Sequence, residues 1–343
     1  VEALDRGDDT RHWGPPFLGG QAAYFLSVNR NKRSIAVDLK DPDGLAAVRA
    51  LATQADVLVE NFRPGVAERL GLGYEELSRL NPRLVYASIS GFGQTGSDAQ
   101  LPGYDAIAQA RSGLMSVTGE ADGPPLRVGV ASADLAAGLW TMIGALAALL
   151  ERQTSGHGRW VDVALLDAQA SLLTYVAGSY FATGEIPRRF GAAHPTIAPY
   201  QDFRTAHSSV MVAVGNDRLF VRFAAVLGLD CLVADERFRT NANRVENKAA
   251  LIDIVSAHML TKSSAEWVDL LGRQGIPASV INTVDQVMVD PQLLARRMIV
   301  EADHRTAGRI RMLACPVKLS RTPARFRLSP PVLGEHTTEV LGG

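Results

Sequence analysis

Between Ser34 and about Tyr180 the chain alternates short β-branched runs with segments of helical periodicity, and this rhythm constrains the fold more than any other feature. Parallel strands need long crossovers, which helices supply, so the alternation is the signature of a parallel sheet with covering helices. Strands are predicted at Ser34–Asp38, Val57–Glu60, Leu84–Ser88 and Trp160–Ala164. Asp41 with Pro42 behind it marks a helix start, and Leu45, Val48, Leu51 and Ala52 recur at helical spacing. The apolar run Leu135 to Leu150, closed by Asp134 and Glu151, is shorter than the roughly 20 residues a bilayer span needs and is predicted to be a buried helix.

After residue 187 the rhythm changes. Pro187 to Pro199 holds three prolines with Gly191 and His194 and reads as a connection. Beyond it a strand is predicted at Val210–Val214, followed mainly by helices at Leu219–Leu227, Lys248–Met259 and Ser264–Gln274, which describes a smaller α+β domain. The Pro- and Arg-rich stretch from Thr322 to Leu333 should run extended over a surface and finish near Thr337–Leu341 in a short helix. The expected organisation is an α/β protein. A large Rossmann-like domain with a parallel sheet spans 1–187, a linker and small α+β domain 188–308, and a C-terminal segment over 309–343 returns to the large domain.

Lys plus Arg total 35 against 36 acidic residues, so no global field exists to hold nucleic acid or an anionic membrane surface, and neither partner is expected. Any anionic ligand must meet local positive charge. Cys231 and Cys315 lie in no CxxC spacing, which excludes a disulfide framework or zinc knuckle and suits a reducing compartment. No positively charged leader precedes an apolar stretch, so the expected location is the cytoplasm, or the mitochondrial matrix in a eukaryote. The seven histidines include no pair at metal-ligand spacing, and no metal site is expected.

Ser90-Gly91-Phe92-Gly93-Gln94-Thr95-Gly96 contains GxGxxG directly after a predicted strand, the outward form of a dinucleotide fingerprint. That fingerprint works only if a helix opens at the third glycine and presents its N-terminus to a pyrophosphate. Pro102-Gly103 follows too soon for such a helix, so nicotinamide binding is rejected. A glycine-rich loop over a ligand or a neighbouring chain, or a plain turn, remains.

Trp160 to Gln169 reads as a strand that runs through Asp167 into a helix beginning near Ala168. In open α/β sheets the carboxyl ends of strands face the ligand crevice, and helix N-terminal amides favour a charged carboxylate there. An ionised, accessible carboxylate is a nucleophile toward an activated acyl group. Position alone favours ordinary helix capping over catalysis.

Segments along nearly the whole chain resemble the family III (CaiB/BaiF) CoA-transferases. They are Gly7-Asp8-Asp9-Thr10-Arg11 with Trp13-Gly14-Pro15-Pro16, then Ser27 to Ile35, Val59-Glu60-Asn61-Phe62-Arg63-Pro64-Gly65, Gly103-Tyr104-Asp105, the Asp167 segment and Leu333-Gly334-Glu335-His336-Thr337. The Asp8 to Arg11 stretch, Ala193-His194-Pro195 before Tyr200-Gln201, and the ending through Thr338 look most like the succinate and hydroxymethylglutarate branch. The resemblance implies CoA transfer between acids, with acyl-CoA and small carboxylic acids as substrates, CoA as a substrate rather than a tightly bound cofactor, and an interlocked homodimer. It implies that Asp167 attacks the donor thioester, and that Val37, Asp38, Lys40, Asn61, Phe62, Arg63 and Arg69 contact CoA. Tyr104 and Asp105 match a Tyr-acid pair near the thioester. For each of these a solvated surface residue, a turn residue or a core tyrosine is the competing reading.

Departures carry information as well. Pro102 stands where the oxalate branch has lysine, and a run of glycines that covers the intermediate is lacking, so Gly191 to Pro195 is expected to do the covering. Ala3 replaces an arginine, and the strand-turn-helix unit with a CoA-binding glutamine that family members carry ahead of Val1-Glu2 is expected to lie outside this chain. His194 is a candidate for the acyl side, against a solvated loop histidine. An α-methylacyl-CoA racemase is the nearest rival, but it needs a second acid/base where Ser116 stands, and a lone hydroxyl is a poor base. An inactive CoA-binding protein is the third reading.

Overall fold

The alternation folds as anticipated in the computed structural model, which describes residues 1–342. Val57–Glu60, Val85–Ser90 and Trp160–Ala164 form a parallel sheet in that order, with Glu60 opposite Ser88 and Ser90 opposite Ala164. Glu2–Ala3 pairs in parallel with Ala36–Val37. The helix Pro42–Gln54 starts as its sequence demands, with the Asp41 carboxylate accepting from the Asp43 N–H. Its inward residues Val48 and Ala52 join Val37, Leu72, Leu77, Leu84 and Tyr86 in one core cluster, and the Tyr86 hydroxyl donates to the Leu72 carbonyl.

Two compact units emerge. The first comprises Val1–Tyr104, Asp134–Ala168 and the residues from Val284 onward; the second comprises Asp105–Ala133 and Gln169–Thr283. This differs from the expected division at 187 and 308. The chain returns to the first unit earlier, because the hairpin of Ile299–His304 with Gly308–Leu313 buries Ile310 and Met312 against Leu26. The second unit is α+β. Tyr200–Arg204, Ser209–Ala213 and Ala278–Val280 form an antiparallel sheet with Ser209–Ala213 in the centre. Helices Asp217–Leu227, Lys248–Met259 and Ser264–Arg273 pack Phe220, Phe223, Leu251 and Trp267 against Phe203, Val210 and Val212.

Within the first unit, residues from both ends of the chain converge on one carboxylate. Arg11 grips Glu2 in a two-pronged ion pair of 2.6 and 2.7 Å, while the Ser34 hydroxyl and the Asp8 N–H also donate to it. Ser34 in turn accepts at its hydroxyl from the Gly334 N–H and at its carbonyl from the His336 N–H, and Thr337 accepts from the Ala36 N–H. Burial pushes the Glu2 carboxyl up, but the bonds from Arg11, Ser34 and Asp8 outweigh it and hold the group at about 2. Much of the family-like sequence therefore builds this joint.

The apolar run is the clearest correction. It lies in a helix, Ser132–Ser155, but that helix is not buried all round. Its small residues Ala145 and Ala148 pack on Val85 of the sheet, whereas Leu135, Leu139, Met142, Leu146 and Leu150 are 57–74% exposed. Hydrophobicity on every face did not reveal that this chain covers only one of them. By length and composition alone the helix could cross a membrane, although its alanine face is occupied by the sheet.

Candidate functional site

Parallel pairing brings the carboxyl ends of the strands to one edge of the first unit. Val57–Glu60 leads into Asn61-Phe62-Arg63, Val85–Ser90 into Gly91, and Trp160–Ala164 directly into the helix Leu165–Ser171. That helix starts three residues before the predicted Ala168, so Asp167 lies in its first turn rather than ahead of it. The Leu166 N–H donates to the Gly91 carbonyl at 3.1 Å, which ties the turn to the neighbouring strand end. Asp167 is exposed, and among the described residues no hydrogen bond or ion pair occupies its carboxylate.

The glycines of the rejected fingerprint have a packing role. A Cβ on Gly91 would come within 2.7 Å of the Gly103 Cα, so the two backbones can touch only because both residues are glycine. This contact holds the start of Gly103-Tyr104 against the strand end that also anchors the Asp167 turn. Tyr104 is 67% exposed. Beyond Gly96 the chain runs through turns, and the next helix opens only at Asp105, as the rejection required.

The expected CoA-contacting residues divide by what they already bond. Val37 is a core residue, which leaves only its backbone for a ligand. Asp38 accepts from the Lys40 N–H and shapes the turn into the helix Pro42–Gln54. Asn61 donates its amide to the Ile89 carbonyl at 2.7 Å, which keeps its own carbonyl oxygen for a ligand donor. Phe62 is partly exposed, and its N–H is held by Glu60. Lys40, Arg63 and Arg69 are exposed, and among the described residues none has an ion-pair partner. Glu60 was not singled out from the sequence except within a motif. Burial raises its carboxyl above the ordinary range, bonds from Ser88 and the Phe62 N–H counter this, and the charges of Glu68 and Asp162 add to the rise. The available signal was an acid at the last position of a strand.

In the second unit Asp105 is committed to structure. One oxygen accepts from the Ala133 N–H and the other from Gln109, both at 2.8 Å. Gln109 is fully buried and also spans the Val128 N–H and the Val130 carbonyl. Asp105 thus fixes the segment that follows Tyr104. The Ser116 hydroxyl donates to the Gly113 carbonyl at 2.7 Å, an ordinary turn bond. His194 is better built than a solvated loop residue. It stacks on Tyr175 with ring centres 5.3 Å apart, and Nδ1 accepts from the Thr196 N–H. Burial first, and then the charge of Lys248, lower its tendency to protonate, and an Nδ1 that accepts leaves the ring proton to Nε2. Lys248 donates to the His194 carbonyl at 2.9 Å. Among the described residues no cluster of potential metal ligands occurs.

Comparison with known proteins fits this geometry. Residues 1–337 match the model of CoA-transferase family III. The chain is 42% identical over 341 residues to the succinyl-CoA:glutarate CoA-transferase of Mus musculus, covering 99% of this chain and 78% of that protein. It is 42% identical over 347 residues to the succinate–glutarate CoA-transferase of Agrobacterium fabrum, covering 99% and 87%. The crystal structure of a CAIB/BAIF family protein from Brucella suis superposes with a TM-score of 0.86 at 40% identity, covering all of this chain and 90% of that one.

Proposed function

The chain belongs to CoA-transferase family III, and from this premise we propose that it moves CoA from succinyl-CoA to a second dicarboxylic acid through Asp167. The observation that carries the reading is an exposed carboxylate at a strand-to-helix junction that, among the described residues, has no protein partner. A nucleophile must be free to attack, and a carboxylate held by Arg11-like partners is not.

The reaction conserves thioester energy in two mirrored halves. An Asp167 oxygen attacks the thioester carbonyl of succinyl-CoA, forming a mixed anhydride and releasing CoA thiolate. The thiolate attacks the aspartyl carbonyl of the anhydride, forming an aspartyl-CoA thioester and releasing succinate. The acceptor carboxylate then attacks that thioester, and the freed thiolate takes the acceptor's acyl group from the new anhydride, restoring Asp167. No ATP is consumed. Helix N-terminal amides in the first turn favour the carboxylate each time it is released. In this reading Tyr104 donates to the thioester oxygen as charge develops, while Lys40, Arg63 and Arg69 supply cations for the CoA phosphates.

The named activities of the mouse and Agrobacterium relatives support a dicarboxylate pair for this chain. Labelled succinyl-CoA offered with glutarate, oxalate and longer dicarboxylates tests the choice: glutarate should exchange fastest, and a preference for a monocarboxylic acid would overturn it. The exposed stripe Leu135, Leu139, Met142, Leu146 and Leu150 supports a homodimer in which a second copy covers that helix. Light scattering should report a dimer, and L139E/L146E should dissociate or precipitate it.

A further inference from the structure

One cavity of the first unit lies outside everything used above. Its volume is about 830 Å³, and it is lined by Arg30, Arg296, Arg297, Lys318 and Arg325 around an apolar floor that includes Phe326. No acidic side chain lines it. The buried arginines Arg11, Arg152 and Arg244 each have a carboxylate, from Glu2, Asp56 and Asp217. Among the described residues, Arg30, Arg296, Arg297 and Arg325 have none.

Two features fix the backbone that carries the cations. Asn31, at a left-handed φ of 61°, donates to the Arg325 carbonyl and accepts from the Arg327 and Leu328 N–H groups, so it clamps the Arg-rich tail across the cavity. At the end of the helix Pro291–Ala295 the Met298 N–H reaches the Leu293 carbonyl and the Arg297 N–H reaches the Leu294 carbonyl. This closing pattern normally places glycine at the left-handed position. Here Arg297, a lining residue of the cavity, occupies it at φ 51°, where a glycine would be more relaxed.

We propose that this cavity binds a phosphorylated organic anion of nucleotide size. Several guanidinium and ammonium groups with no lining acid call for more charge than a dicarboxylate carries, and guanidinium forks match phosphate oxygens in pairs. The volume exceeds what an inorganic ion fills and lies in the range of small-molecule sites. Val28, Val300 and Phe326 offer an apolar surface to a ring. None of the lining residues is among the proposed CoA contacts. Val28 to Asn31 precede the strand Ala36–Val37, whereas Lys40 follows it.

Calorimetric titration of the full chain with ADP, inorganic pyrophosphate and citrate tests the site. ADP should bind, citrate at least about tenfold more weakly, and both R296Q/R325Q and R297G should weaken ADP binding by about tenfold or more. R297G is the sharper variant, since a glycine at that position should leave the thermal midpoint unchanged or raised while affinity falls. K40Q and R63Q, which weaken only whatever ADP the CoA site takes up, should leave binding at the cavity intact, and the cavity variants should transfer CoA at the parent rate. Unaltered ADP binding in both cavity variants, loss of it in K40Q or R63Q instead, or tighter binding of citrate than of ADP would overturn the proposal.

Discussion

Two carboxylates of the first unit sit at opposite extremes. Glu2 is nearly enclosed and receives hydrogen bonds from Arg11, Ser34 and the Asp8 backbone. Asp167 is exposed, and among the described residues nothing pairs with it. Both stand in segments that resemble the same family, so resemblance alone does not separate them. What separates them is satisfaction: a fully bonded carboxylate stores folding energy, and an unbonded one at a helix N-terminus keeps its lone pairs for chemistry.

The widest expected gap between the two is kinetic. Asp167→Asn should lower CoA transfer by on the order of a thousandfold or more while leaving the thermal midpoint nearly unchanged, as steady-state assays and calorimetry would report. An inactive but strongly destabilised variant would erase the contrast. Glu2→Gln should do the reverse. Leaving Arg11 buried beside a neutral partner should cost roughly 3–5 kcal/mol of stability, with transfer per folded molecule retained.

The pH dependence of unfolding sharpens the same contrast. Glu2 is held at about 2 against an ordinary value of 4.5, so its folded-state preference is for the charged form. That contribution, about 3 kcal/mol, is fully present above pH 4.5 and is lost as pH falls through about 2. Urea denaturation from pH 6 downward should show a steeper loss in the parent than in Glu2→Gln; equal slopes would contradict the assignment. A smaller effect is expected at Gly91. Gly91→Ala pushes a methyl into the Gly103 backbone and should cost about 1–3 kcal/mol, with a rise in KM for succinyl-CoA as Tyr104 shifts. The smallest concerns single cations: Arg63→Gln should raise the KM for acyl-CoA about tenfold or less, with kcat unchanged.

Legibility in the sequence followed the same physical line. The strands Val57–Glu60 and Trp160–Ala164 and the helix Lys248–Met259 occur where β-branched runs and helical spacing put them, because local pattern and tertiary burial agree there. Asp167 is legible as an acid near a strand-to-helix junction, but not its place inside the first helical turn, because the helix starts at Leu165. The exposed face of Ser132–Ser155 was not, since a helix apolar on every side does not say which side its own chain covers. Nor was the commitment of Asp105, whose partners Gln109 and Ala133 are brought to it only by folding. The early return of the chain near Val284 depends on the burial of Ile310 and Met312, which no local signal announced.

The most direct test is peptide mass spectrometry of the protein after brief exposure to succinyl-CoA without an acceptor acid. The account predicts a CoA or succinyl adduct on the peptide carrying Asp167, absent from Asp167→Asn. Turnover with the adduct on a different residue, or an adduct that persists in Asp167→Asn, would contradict it.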